Sequence, residues 1–171
     1  MLSPSIDSPF EARHVTIRQI VPSDLDALRT FFASLSDATR RLRFHSPIKD
    51  LSEPLLREFT MVNQRSHVAF VAESHDDAVD HPTMLIAEAR YVRNADSESA
   101  EFALVVADNW RRIGLGTALT RFLAQRARFA GIRRLWGDVL EDNQAMRGLA
   151  HSLGARLSRA IGGVRLSLEL K

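Results

Sequence analysis

The chain has 171 residues, of which 45% are hydrophobic and 26% are charged, proportions typical of a globular protein that needs no disulfide or metal to fold. The absence of cysteine excludes a disulfide framework, a cysteine nucleophile and an iron–sulfur cluster. The formal net charge of +2 argues against a dedicated nucleic-acid-binding protein, and no run of about 18 apolar residues predicts a membrane span.

The first half of the chain is predicted to contain a leader, one strand and three helices. Residues 1–13 lack a basic segment followed by an apolar core, so we expect a flexible leader and not a secretory signal. Alternating apolar residues over 14–20 predict a strand. Apolar residues at helical spacing then predict a helix that ends near residue 35, and two more over 37–43 and 52–62.

In the second half of the chain, segments with the two-residue period of a strand alternate with segments that have helical spacing. A period of two predicts strands over 67–73, 83–93, 99–107, 133–140 and 163–170, and helical spacing predicts helices over 114–130 and 143–153. The turn-like residues 94–96 are too few for a crossover, so the strands on either side of them are expected to be antiparallel neighbours. Residues 14–171 are therefore predicted to form a single mixed α/β domain.

The segment with the most chemical information is the junction between a strand and the long helix. The strand over 99–107 is rich in β-branched residues, and Arg111, Arg112, Gly114 and Gly116 follow it at the start of the helix. Glycines there let backbone N–H groups approach an anion, and the helix dipole adds partial positive charge. Two arginines strengthen the pattern, since guanidinium binds phosphate well. The segment predicts a pyrophosphate site.

The same residues also fit a tight strand-to-helix turn in which the glycines serve packing alone. The segment has no Gly-Lys-Ser/Thr run of a Walker loop, and it lacks the first glycine of the dinucleotide-binding fingerprint. On these residues by themselves, the two readings remain open.

The junction resembles the acetyl-CoA signature of the GCN5-related N-acetyltransferase (GNAT) family. That signature, Arg/Gln-x-x-Gly-x-Gly/Ala, is matched by Arg111, Gly114 and Gly116. Asn143, followed by a helix and by Leu153-Gly154, is similar to the second half of the family, although Ala155 replaces the usual aromatic residue. The resemblance covers the chain from about residue 14. It implies the GNAT fold, an α/β (α+β) domain with a mixed, mostly antiparallel sheet of about six to seven strands flanked by helices.

Three further stretches resemble the GNAT domain of bacterial protein lysine acetyltransferases of the Pat type. They are the run TRRLRFHSP over 39–47, the strand AEFALVV over 100–106, and Glu141 with Asn143 and Met146. In many of those proteins the domain is fused to a large acyl-CoA-synthetase-like region, which this sequence lacks. Membership of the subfamily therefore does not by itself transfer the protein substrate.

The resemblance implies acetyl-CoA as the cosubstrate and no metal. The pantetheine arm would bind the main chain of the strand, the pyrophosphate would lie on the N–H groups of the turn, and an asparagine would face the cofactor arm. A backbone N–H near Val105 or Val106 would polarise the acetyl carbonyl. The donor-binding residues are predicted to be Leu104, Val105, Val106, Arg111, Arg112, Ile113, Gly114, Leu115, Gly116, Thr117 and Asn143.

Direct attack by an amine requires a general base, because a lysine-like amine is mostly protonated at neutral pH. Glu101 opens an otherwise apolar strand, and in Pat-type enzymes a glutamate in this AEFA context is the proposed base. We therefore predict Glu101 as the catalytic residue, against the alternative of an edge carboxylate paired with an arginine.

The general acid is not evident in the sequence. Many GNAT enzymes place a tyrosine in the helix after the asparagine, whereas Ala150 stands at that position here. The chain's only tyrosine, Tyr91, belongs to another strand, and His151 points about 100° away from the vacant position. His151 is more simply a surface residue, with water as the proton donor.

Three other features admit a functional and a structural reading. Residues 75–82 contain two histidines and three aspartates, but their spacing favours a solvated loop over a metal site. Arg40, Arg41 and Arg43 could contact the CoA 3′-phosphate or an acidic acceptor, or form a solvated helix face. Trp110 could cover the cofactor or pack on the long helix.

Two functions from different classes remain. The first is an acetyl-CoA-dependent N-acetyltransferase acting on a protein lysine or a small amine. The second is a non-catalytic acyl-CoA sensor or interaction module on the same fold, which the missing tyrosine favours and Glu101 disfavours. We expect a cytoplasmic protein without nucleic-acid or membrane partners. A homodimer is compatible with the family, but no sequence feature specifies one.

Overall fold

The computed structural model describes residues 15–75, 83–95 and 98–171. The predicted leader over 1–13 and most of the acidic loop, residues 76–82, lie outside the described residues. Within the described part of the chain, no helix is long and apolar enough to cross a membrane. The same residues contain no group of three or more side chains that could hold a metal ion.

The described chain forms a seven-stranded sheet flanked by five helices, as the resemblance implied. The strands are β1 (Val15–Gln19), β2 (His67–Ser74), β3 (Met84–Arg93), β4 (Ser99–Val106), β5 (Arg134–Val139), β6 (Arg156–Ala160) and β7 (Gly163–Glu169). The helices are α1 (Leu25–Ser34), α2 (Asp37–Phe44), α3 (Glu53–Thr60), α4 (Leu115–Phe129) and α5 (Gln144–Ser152). Short 3₁₀ turns cover Pro22–Asp24 and Asp108–Trp110.

The sheet has the order β1-β2-β3-β4-β5-β7-β6, and only the β4–β5 pair is parallel. β6 is the strand that the sequence did not predict. Its residues are mostly exposed and lack an apolar alternation, and it pairs with β7 alone as the edge of the sheet. An edge strand that buries neither face leaves little periodic signal in a sequence.

The helices cover the two faces of the sheet. Helices α4 and α5 pack on one face, over a buried cluster that includes Phe102, Leu119 and Leu123. Helices α1 and α3 cover the other face, over a cluster that includes Phe32 and Val105. Because side chains alternate along a strand, neighbouring residues of β4 serve different cores.

The one parallel pair is short, and this shortness creates an opening in the sheet. β4 and β5 are in register only at Ser99–Arg134, Ala100–Leu135 and Glu101–Trp136. Beyond these pairs, β4 continues to Val106 beside β3, and β5 continues to Val139 beside β7. Glu101 therefore lies where the two strands begin to separate.

Candidate active site

A cleft of about 570 Å³ lies along the end of β4, beyond its last pair with β5. It is bounded by the end of β4, the start of α4, one face of α5 and part of α2. All of the predicted donor-binding residues line it except Ile113, whose side chain packs against the core on the α4 face. The structure therefore brings two sequence motifs, separated by about 30 residues, to one cavity.

The backbone of β4 offers hydrogen-bonding groups to this cleft. The amide of Asn94 donates to the Ser99 carbonyl and that of Ala107 to the Ile86 carbonyl, so odd-numbered residues of β4 bond to β3. The backbone N–H and C=O groups of the even-numbered residues consequently point toward β5. Beyond Glu101, β5 no longer pairs with β4. Of the two N–H groups proposed from the sequence for the acetyl carbonyl, that of Val105 is thus committed to β3, while that of Val106 faces the cleft.

The start of α4 has the geometry of an anion site. Arg112 and Gly114 both have left-handed backbones, with φ values of 62° and 89°. Such residues let successive N–H groups converge on one point. Among the described residues, no side chain caps this helix, and its first turn contains no acidic residue. The N–H groups at the start of α4 are therefore left for a ligand with negative charge.

The Arg111 side chain braces the site. Its Nη2 donates to the Thr39 hydroxyl at 2.6 Å, and its Nε donates to the Val106 carbonyl at 3.4 Å. Asp108 accepts from the Thr39 hydroxyl at 2.6 Å and from the Ser36 amide at 3.0 Å. Burial alone would raise the pKa of Asp108, but these bonds, the Ser36 hydroxyl and the Arg111 charge lower it. The network joins the beginning of α2 to the segment that precedes α4.

Asn143 begins α5 and borders the cleft. Its side-chain oxygen accepts a hydrogen bond from the Met146 amide at 3.1 Å, which caps the helix, and only 6% of the residue is exposed. The cap fixes the orientation of the side chain at the cavity wall. The structure thus supplies a local reason for an asparagine at this position.

A second cavity of about 270 Å³ adjoins the first and contains Glu101. The two cavities share Leu42, Arg43, Leu104, Asn143 and Met146 in their walls. Asp138 also lines the second cavity, and Arg165 donates two hydrogen bonds of 2.7 Å to its carboxylate. The bonds from Arg165 lower the pKa of Asp138. Glu101 itself is exposed, so it can meet a molecule entering from solvent.

A cluster of buried charges lies beside the junction of the two cavities. Glu88 is fully buried, and it accepts from the Nε of Arg90 at 2.5 Å and pairs with Arg43 at 3.5 Å. Arg90 lies over the Phe59 ring at 3.7 Å from its centroid, and Arg43 lies over Phe44 at 5.0 Å. Arg43 is therefore not part of a solvated helix face, because only 10% of its side chain is exposed.

The other arginines of α2 behave differently. Arg40 pairs with Asp37 and donates to backbone carbonyls at the end of α1, and Arg41 pairs with Asp142 at 2.9 Å. Neither side chain lines a described cavity. The sequence could not distinguish Arg43 from its neighbours, because the burial of Arg43 depends on its contact with Glu88 of β3.

The candidates for a general acid are not brought into the site. Tyr91 is fully buried among core residues, and burial raises the pKa of its phenol. His151 is exposed on α5 and lines neither described cavity, while Ala150 is buried. Trp110 both borders the cleft and packs against the core, so the two readings of this residue are compatible.

Sequence reasoning missed several residues of the cavity walls. Thr39 and Leu42 of α2, Gly137 and Asp138 of β5, and the exposed face of α5 from Gln144 to Ser152 all contribute. No local pattern marks these residues, because they become neighbours only when α2 and α5 close over the open strands.

Comparisons with known proteins agree with this architecture. Residues 31–155 match the acetyltransferase (GNAT) family. The chain is 33% identical over 149 residues to acetyltransferase PA5475 of Pseudomonas aeruginosa, covering 87% of this chain and 78% of that protein. It is 30% identical over 140 residues to acetyltransferase Pat of Mycolicibacterium smegmatis, covering 81% of this chain but 40% of that protein.

Among solved structures, the GNAT domain of S. lividans PAT superposes with a TM-score of 0.82 at 29% identity. The match covers 91% of this chain and 90% of that domain. The mixed sheet, the open β4–β5 pair and the signature turn before α4 thus occur together with family-level sequence similarity. The chain belongs to the GNAT family of acetyl-CoA-dependent acetyltransferases.

Proposed function

We propose that the chain transfers the acetyl group of acetyl-CoA directly to a primary amine, with a protein lysine as the acceptor, and that Glu101 is the general base. The observation that carries the proposal is the position of Glu101. It lies in a cavity that shares a wall with the donor cleft, at the point where β4 and β5 separate.

The donor end of the proposal rests on backbone groups. The pyrophosphate lies on the uncapped N–H groups at the start of α4, where the two left-handed residues leave room for it. The pantetheine arm replaces β5 as the partner of Leu104 and Val106. The N–H of Val106 stabilises the negative charge that develops on the acetyl oxygen.

The transfer itself requires one proton acceptor. The amine nitrogen attacks the thioester carbon, the C–S bond breaks, and the amine proton passes to the Glu101 carboxylate directly or through water. Without a cysteine in the chain, an acyl-cysteine intermediate does not arise. The sulfur leaves as a thiolate and takes its proton from water.

The acceptor end favours a cationic amine on a long side chain. Glu101 contributes a carboxylate to the smaller cavity, and this carboxylate attracts an ammonium group, while Asp138 is already paired with Arg165. The volume of about 270 Å³ admits a slender chain such as that of lysine, but not a folded surface.

Glu101→Gln tests the proposal, because glutamine keeps the shape but cannot accept the proton. We expect kcat to fall about 10²- to 10⁴-fold in a thiol-release assay with a panel of amines and lysine peptides. The affinity for acetyl-CoA, measured by calorimetry, is expected to persist. Glu169→Gln, at an exposed site outside both cavities, is the matched control and keeps full activity.

Other outcomes would change the assignment. An unchanged rate for Glu101→Gln at saturating acetyl-CoA removes Glu101 from the role of base. Acetyl-CoA binding without turnover across the whole panel would favour a non-catalytic acyl-CoA sensor.

A further inference from the structure

Arg43 differs in charge from the other residues that line both cavities. Five residues line both cavities, and Arg43 is the only one of the five with an ionisable side chain. Under the proposed function, the donor occupies the larger cavity and the amine occupies the smaller one. The thioester must then lie at the wall that they share, which Arg43 helps to form.

Residues of β3, α2 and α3 hold the side chain of Arg43 in position. Its Nη2 lies 3.5 Å from the carboxylate of Glu88, which is fully buried and also bonded to Arg90. Phe44 and Phe59 pack on the guanidinium of Arg43, at 5.0 Å and 5.7 Å from the ring centroids. Helix α2 and strand β3 thereby fix a side chain that would otherwise have many conformations.

The cluster is an expensive way to stabilise a fold. Buried ion pairs are commonly replaceable by apolar residues without loss of stability, because desolvation offsets the attraction. Burial lowers the pKa of Arg43, which reflects this desolvation, although arginine remains protonated. Within the described chain the Nε of Arg43 has no hydrogen-bond partner. One carboxylate shared by two arginines leaves the Arg43–Glu88–Arg90 cluster with a net positive charge.

We propose that Arg43 provides the positive charge that stabilises the departing thiolate of CoA. This inference rests on the proposed function. As the amine attacks, the electron pair of the C–S bond moves to sulfur, and the proton of the amine moves to Glu101. A fixed guanidinium near the sulfur lowers the energy of that anion without donating a proton.

Several charged groups surround Arg43 and contribute to the same field. Glu101 lies on β4, next to the strand of Glu88. The charges of Glu88 and Glu101 raise the pKa of Arg43, whereas the charge of Arg90 lowers it. His45 and Asp138 line the smaller cavity with Arg43, and Arg111 and Arg112 line the larger one. His67 is bonded to Arg90, and Arg165 is bonded to Asp138. A test must therefore change Arg43 alone and measure the pKa of the CoA thiol directly.

The absence of cysteine makes that measurement feasible, because bound CoA is the only thiol in the complex. The far-ultraviolet absorbance of the thiolate is followed against pH for the protein with CoA, using desulfo-CoA as the blank. We expect the pKa of the CoA thiol to fall on binding to the wild-type protein. Arg43→Met should raise that value by about one unit relative to wild type, the effect of a single nearby charge.

Two variants separate charge from shape. Arg41→Met removes an arginine from the same helix that borders neither cavity, and it should leave the thiol pKa at the wild-type value. Arg43→Lys retains the charge and should keep the thiol pKa near that of the wild type. In the acetyl-transfer assay, Arg43→Met is expected to lower kcat about tenfold while the KM for acetyl-CoA changes little.

Each outcome decides the matter. If the wild-type protein binds CoA without lowering the pKa of its thiol, the proposal is wrong, and this result needs no variant. Equal thiol pKa values for Arg43→Met and Arg43→Lys would assign Arg43 to packing. Failure of the wild-type protein to bind CoA would instead contradict the donor site of the proposed function.

Discussion

At the scale of single residues, Glu88 connects the stability of the protein to its active site. It is fully buried on β3, and two arginines depend on it for their counter-charge. A carboxylate in this position orients Arg43 as well as compensating the buried cations. The residue is therefore expected to be among the least tolerant of change, although it touches neither cavity.

Glu88→Gln should reduce the free energy of unfolding by about 3–5 kcal/mol, because it leaves two buried guanidinium groups without a negative partner. Urea denaturation of the wild-type and variant proteins measures the difference. The matched control is Glu53→Gln, whose half-exposed carboxylate pairs with Arg29 and Arg57, and which should cost at most about 1 kcal/mol. Similar losses for both variants would contradict the burial of the cluster.

At the scale of secondary structure, the separation of β4 from β5 depends on a close approach just past their last pair. A Cβ added at Gly137 of β5 would lie 2.7 Å from the carbonyl oxygen of Phe102. That oxygen belongs to the backbone and cannot rotate away, so the two strands would have to move apart. Glycine thus permits β4 and β5 to remain close just past Glu101 and to diverge gradually. Gly137 and Phe102 line the smaller cavity at this close approach.

Gly137→Ala should destabilise the protein by about 1–3 kcal/mol, the usual cost of forcing an extra group into a packed region. Thermal and urea unfolding measure this loss. Gly148→Ala is the control for the substitution, because a Cβ there meets nothing within 4 Å and lies inside α5. It should be neutral or stabilising by up to about 1 kcal/mol. A stable Gly137→Ala protein would mean that β4 and β5 are farther apart.

At the scale of the whole molecule, aspartates tie distant elements together and make the fold sensitive to acid. Asp24 accepts two hydrogen bonds of 2.8 Å from Arg18 of β1, Asp108 joins α2 to the segment that precedes α4, and Asp138 joins β5 to β7. Each carboxyl has a pKa below its ordinary value, since its hydrogen bonds outweigh the desolvation that burial imposes.

The lowered pKa values of these aspartates determine how the stability of the protein changes with pH. Because the folded pKa of each aspartate is below the unfolded value of about 3.9, the stabilisation is complete above about pH 5 and is lost as the pH falls. Urea midpoints measured from about pH 7 down to about pH 3 should therefore decline steeply below pH 4. Asp24→Asn should lower the midpoint at neutral pH and make the acid decline shallower; an equally steep decline would exclude Asp24 as a contributor.

The extent to which the site could be predicted differs between its two ends. Gly114, Gly116 and Arg111 form a local pattern, and a local pattern suffices to place N–H groups at the start of a helix. The position of Glu101 also followed from its place at the opening of an apolar strand. Arg43 was recognised only as one of three neighbouring arginines, because its burial depends on Glu88, some 45 residues away along the chain.

The sequence by itself therefore determined the order of the elements except β6, and it indicated the family and the segment that we propose to bind the donor, because these depend on periodicity and short-range motifs. Only the tertiary structure decided which N–H groups of β4 remain unpaired, since that depends on the register with β3 and on where β5 diverges. It also decided that α2 brings a buried arginine to the wall between the two cavities. Contacts between distant segments leave no local periodicity in the sequence from which they could be recognised.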